Sequence, residues 1–220
     1  MGAAGPGGDG RIGELRSACA AAVAGLAAAR PDLIAVVGGG GETAGYQESA
    51  AGSLRSFGIP FTIGTGDPVL PLSLTVGRWL VRQFLAADAG CPRWRVCLQS
   101  VRQSMQAAQC AGVGAALAAR GPRVALLVMG DGSARRVLGV PGAGDPAAQA
   151  YDAEVAAALA DADPARLAGL DAALDGELMV TGRAGWQVLA GAAEGRRMRG
   201  QLLFAAAPLD VGYLVASWAS

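Results

Sequence analysis

Apolar positions along this chain fall into two alternating kinds of run. Short runs at 32–37 (DLIAVV) and 124–129 (VALLVM) show no polar alternation, which suits strands covered on both faces in a mostly parallel sheet. Elsewhere, apolar residues step by three and four. Ile12, Leu15, Cys19, Val23 and Leu26 make one amphipathic stripe, closed by Pro31. Leu72, Val76, Leu80 and Phe84 make another, with Trp79, Val81 and Leu85 beside it and Arg78 and Arg82 marking its solvent edge. Further strands are expected at 59–63, 94–101, 201–204 and 211–218. Residues 104–120 read as a helix whose alanines and glycines permit close packing on the sheet. Asp145-Pro146 and Asp163-Pro164 each place an N-cap before a proline at N1. The first opens a helix striped by Tyr151, Val155 and Leu159. The second opens a helical stretch with Leu167, Leu170, Leu174 and Leu178 on one face, broken at Gly182, after which Trp186 and Leu189 begin another helix. This alternation predicts a single α/β domain over residues 11–220, its mostly parallel central sheet ordered around 124–129 with helices on both faces. Residues 1–10 are glycine-rich and read as disordered.

The strand ends carry the candidate chemistry, because open α/β sheets bind ligands beyond the carboxyl ends of their strands. The 124–129 run stops at Gly130-Asp131-Gly132-Ser133, followed by Ala134-Arg135-Arg136. Glycines at 130 and 132 permit a nest of N–H groups, and arginine forks suit carboxylate or phosphate. Asp131, Ser133, Arg135 and Arg136 are therefore the candidate ligand-binding residues, and a small acidic molecule is the expected ligand. Asp131 argues the other way, since it can consume that charge. In the competing reading, Asp131 and Ser133 satisfy turn amides while the arginines hold the next connection. Gly39, Gly41 and Ala44 fit a relaxed G-x-G-x-x-A fingerprint, but four consecutive glycines match many patterns and no clear apolar helix face follows. A flexible strand-end loop is the alternative there.

Composition narrows the chemistry further. At 220 residues, 52% hydrophobic and 16% charged, the chain supports one sizeable core. Eighteen basic residues balance 18 acidic ones, so no net field points to nucleic acid or an anionic membrane. All the basic residues are arginine; lysine, histidine and asparagine are absent. Ser–His–Asp and Cys–His nucleophiles, a lysine Schiff base, a P-loop lysine and a two-histidine, one-carboxylate iron site are all excluded within this sequence. The cysteines, Cys19, Cys91, Cys97 and Cys110, show no C-x-x-C spacing. Cys19 and Cys110 read as small core residues, whereas Cys91 and Cys97 flank a strand start where a redox pair is the alternative. No metal or cofactor is expected. The N-terminus has no signal layout and no run is long and apolar enough to span a bilayer, so a reducing cytoplasm is the default expectation.

The segments MGDGSARR, DPAAQAYDAEVAAALADADPARLAGLD, GRAGWQVLAGAA and APLDVGYLVASW resemble an actinobacterial branch of the class III extradiol ring-cleavage dioxygenase family, one similar to the catalytic subunit of those enzymes. The resemblance covers most of the chain from about residue 11 and is most specific over 123–218. It implies an α/β fold similar to the ring-opening catalytic subunit and, more distantly, to Memo-like proteins. It also implies Fe(II) held by two histidines and a carboxylate, with a further substrate-facing histidine after a segment like Gly130–Arg136. This chain has no histidine for any of those roles, and Glu177 lies near the carboxylate's region without matching its motif. No iron ligand or catalytic residue carries over. The expectation is an extradiol dioxygenase-like pseudoenzyme that binds a small ligand or acts structurally, with a homodimer as the expected assembly. The alternative is an oxidoreductase whose metal-binding N-terminal loop lies outside this sequence, or a metal-free enzyme.

Overall fold

The computed structural model describes residues 6–85, 94–135 and 145–220, the side chains of 6–9 and 84–85 excepted. In chain order the strands are β1 (Leu33–Gly40), β2 (Ala44–Tyr46), β3 (Ala50–Ser53), β4 (Thr62–Ile63), β5 (Thr65–Pro68), β6 (Arg95–Arg102), β7 (Val124–Met129), β8 (Arg199–Ala206) and β9 (Tyr213–Ala219). The helices are α1 (Pro6–Ala28), α2 (Leu72–Leu85), α3 (Ala107–Ala118), α4 (Pro146–Ala160), α5 (Pro164–Ala168), α6 (Leu174–Leu178) and α7 (Arg183–Ala193). The fold is α/β.

Its central sheet has the order β2-β6-β1-β7. The strands β6, β1 and β7 are parallel, and β2 closes the β6 edge antiparallel. The centre is β1, where alternate residues enter opposite cores. Ile34 and Val36 pack with Leu74, Leu80 and Leu98 under α2, joined by Val23 of α1. Leu33, Ala35 and Val37 pack with Val101, Leu117 and Val188 under α3 and α7. A third core gathers Tyr151, Val155, Leu159, Leu167, Leu178 and Trp186 from α4 to α7.

The structure corrects several sequence expectations. The organising strand is β1, not 124–129. At the sheet edge β7 pairs only with β1, and all but one of its residues are partly exposed. A continuous apolar run is compatible with one covered edge as well as two, so periodicity could not separate centre from edge. The strand expected at 59–63 shrinks to Thr62–Ile63 in a separate three-stranded sheet, β4-β3-β5. The two closing strands form an antiparallel hairpin, β8-β9, outside the central sheet. Gly38–Gly40 lie inside β1 and Ala44 inside β2, so no strand–glycine turn–helix unit exists to hold a dinucleotide. Packing explains two of those glycines: a Cβ at Gly38 would lie 2.5 Å from Ser73 Oγ, and one at Gly40 would lie 2.9 Å from Ser100 Cβ. The helical stretch after Asp163 is two short helices, α5 and α6, with a turn at 169–173. Both Asp-Pro caps form as expected: Asp145 accepts from Ala147 N, and Asp163 from Ala165 N and Arg166 N. Arg78 does not line a solvent edge, since its guanidinium donates to the carbonyl of Ala50. Helix α1 starts at Pro6, inside the stretch read as disordered, while residues 1–5 lie outside the described residues. Cys97 and Cys110 are buried and Cys19 is half-buried, all three as free thiols; Cys91 lies outside the described residues.

Small residues bring α3 and α7 together, more than they bring α3 to the sheet. A Cβ at Gly114 would strike the Val188 carbonyl and one at Gly191 the backbone of Ala111. Gly191→Ala should therefore destabilise the protein by about 1–3 kcal/mol through overpacking, although alanine is the better helix former. Urea denaturation measures this; a variant as stable as the parent would mean the helices separate freely.

Candidate functional site

The carboxyl ends of β1, β6 and β7 meet the segment 175–183 and the turn before β9. The loop after β7 is held at every amide from 131 to 135. Asp131 N donates to Thr181 Oγ1 (3.2 Å), and Gly132 N to the Gly212 carbonyl (2.8 Å). Ser133 N donates to Asp152 Oδ1 (2.8 Å), Ala134 N to the Leu178 carbonyl (3.2 Å) and Arg135 N to Ser133 Oγ (3.0 Å). The Asp131 carbonyl in turn accepts from Thr181 N and Gly182 N. An anion-binding nest needs such amides unpaired, and here none is.

The glycines of this loop answer to packing. Neither Gly130 nor Gly132 has a positive φ. A Cβ at Gly130 would strike Cα of Gly182, and one at Gly132 would lie 2.6 Å from Asp152 Oδ1 and 2.9 Å from the Gly212 carbonyl. Three chain segments close on the loop with no room for a methyl group.

The four predicted site residues separate accordingly. Ser133 is fully buried, and its hydroxyl donates to the Leu178 carbonyl at 2.8 Å. Arg135 donates through Nη1 to the Glu177 carbonyl at 2.9 Å and faces Asp145 at 3.9 Å. Arg136 lies outside the described residues. Only Asp131, of residues 131–134, has an exposed side chain. Burial by the flanking segments pushes its carboxyl above the ordinary range, and no cation pairs with it among the described residues. The phenol of Tyr213 is also raised, first by burial and then by the Asp131 charge. Of the residues expected to hold an acidic ligand, Ser133 is sealed in and Arg135 is turned to its own chain, while the alternative arginine, Arg136, lies outside the described residues.

Beneath this site runs a buried polar network that the sequence pattern did not reveal. Arg183, 1% exposed, donates through Nε to Asp175 Oδ2 at 2.6 Å. It also donates to Gln187 Oε1 (2.6 Å), to the Met105 carbonyl (3.2 Å) and to the carbonyl of Gln103. Gln103 Nε2 returns to Asp175 Oδ2 and to the Val180 carbonyl, both at 3.0 Å. Gln103 and Met105 lie just past β6, so Arg183 ties the end of that strand to the segment that clasps the β7 loop. Burial raises the Asp175 carboxyl against the downward pull of Arg183. The sequence carried one signal for this, Arg183 and Gln187 four residues apart inside the otherwise apolar GRAGWQVL.

On the β6 side, an open depression of about 400 Å³ is lined by Glu42, Thr43, Arg102, Ser104, Met105 and Gln109. None of these side chains is buried. No protein-family model and no curated protein matches this sequence.

The donor set does not fit mononuclear iron. The sequence has no imidazole, and Asp131, Glu42 and Glu177 lie on separate segments. Among the described residues no three Cys, Asp or Glu side chains gather closely enough to share an ion. No helix of the described chain is long and apolar enough to cross a membrane.

Proposed function

We propose that this chain is a class III extradiol dioxygenase-like protein that binds a small ligand at the end of β7 without oxidising it. What supports the reading is the closed loop at 131–135. Within the segment that resembles the site of a substrate-facing histidine, every amide from 131 to 135 is engaged internally, and of residues 131–134 only Asp131 has an exposed side chain. A rigid loop on a tied network can present a carboxylate at a fixed position, which suits recognition. It lacks the imidazoles that a two-histidine, one-carboxylate Fe(II) site requires.

Two measurements test this. Protein given Fe(II) without oxygen, desalted and mixed with aerated catechol-type compounds should retain no stoichiometric iron and show no oxygen uptake above an iron-only control. Stoichiometric iron with uptake would replace this reading by the oxidoreductase one. In an amide NMR screen of uncharged and charged fragments, the signals of Asp131, Thr181 and Tyr213 should respond to at least one class. A screen that leaves all three unmoved would reduce the chain to a structural role.

A further inference from the structure

Of the seven large apolar side chains exposed among the described residues, five lie between positions 57 and 79. Two of them, Leu72 (47% exposed) and Trp79 (37%), stand on α2 with half-buried Val76 between them. Steps of four and three put all three on one face of the helix. Exposed Gln83 continues the stripe, which therefore carries no charge over roughly three turns. The other faces of α2 are engaged. Leu74, Leu80 and Val81 enter the core. Thr75 closes on Gly52, and Arg78 donates to the Ala50 carbonyl, so that side holds the three-stranded sheet. An apolar stripe left over on a helix packed in this way marks a contact with another protein.

Charge indicates which protein. Asp67 is exposed in β5 ahead of the stripe, and Arg82 is exposed at its far end. Neither has an ion-pair partner among the described residues. An acid at the head and a base at the tail of a neutral stripe complement the same surface turned end for end. A two-fold axis at Val76 sets each Trp79 beside the Leu72 end of the second copy. It also brings each Arg82 to the stretch of the second copy that contains Asp67. The two arginines then lie roughly 18 Å apart along the helix axis, and the helix dipoles oppose. Parallel pairing would instead set Arg82 against Arg82.

We propose that the chain forms a two-fold homodimer through α2. Val76 lies at the axis, Leu72 and Trp79 supply the apolar contact, and an Asp67–Arg82 pair closes each end. Such a self-complementary patch is what two-fold assembly requires.

Sedimentation equilibrium of the full chain at micromolar concentrations should fit a monomer–dimer equilibrium. Val76→Arg places two cations at the axis and should weaken association by about a hundredfold or more, with an unchanged far-ultraviolet circular dichroism spectrum. Arg82→Glu should weaken it about tenfold, since it reverses two symmetry-related surface pairs, and so should Asp67→Arg. Combining Asp67→Arg with Arg82→Glu should restore most of the affinity, a rescue that loss of folding cannot produce. A monomer at every concentration overturns the proposal and leaves α2 to a different protein. A dimer indifferent to Val76→Arg overturns it too, because the contact then lies elsewhere. Failure of the charge swap to rescue overturns the antiparallel pairing.

Discussion

Arg183→Ala is expected to destabilise the protein by about 3–5 kcal/mol, the range for breaking a buried ion pair from one side. The arginine is 1% exposed and its Asp175 partner 10% exposed at the side chain, so neither charge can turn to water once the other is gone. Alanine would also leave the carbonyls of Gln103 and Met105 and the amide oxygen of Gln187 without their donor. Asp175 already carries one buried oxygen, Oδ1, without a partner, so no spare donor stands by to replace the arginine. Urea denaturation gives the magnitude. Arg183→Met combined with Asp175→Leu should recover part of the loss, because an apolar pair carries no stranded charge. A single substitution costing under about 1 kcal/mol would mean the network is hydrated and contributes little.

Ile34→Ala should cost about 2–5 kcal/mol, and Leu126→Ala clearly less, because only the first vacates a closed cavity. Ile34 is 0% exposed on a strand paired on both sides, while Leu126 is half-buried on the edge strand. Native-state hydrogen exchange should rank the amides of β1 and β6 above those of β7 for the same reason. Equal losses at the two positions, with β7 amides the slowest, would return the centre of the fold to 124–129.

The contrast between those positions measures what the sequence revealed. Both runs are equally apolar, and both are strands at nearly the expected residues. Which one is central depends on neighbours supplied by β6, which no local pattern encodes. The Asp-Pro caps were legible because the partner amides lie two or three residues away. The stripes of α2 and α4 were legible in outline, though Leu72 and Trp79 proved exposed and Arg78 was drawn to Ala50. Reach decides it: a signal is readable when its partner is near in sequence.

The loop after β7 shows the other side of that rule. Gly-Asp-Gly-Ser marked a strand end at the right place, and composition alone removed every histidine- and lysine-dependent chemistry. The sequence by itself also determined the α/β class, through its alternating periodicities. Only tertiary structure decided that Ser133 is sealed and that the loop amides are spent. Apart from Arg135 N, which bonds Ser133 Oγ two residues back, their partners come from Asp152, Leu178, Thr181 and Gly212, which lie 19 to 80 positions further along the chain. The glycines that read as conformational freedom are instead close approaches between backbones. A hydrogen bond fixes its donor only when both ends are placed, and folding, not periodicity, places the distant end.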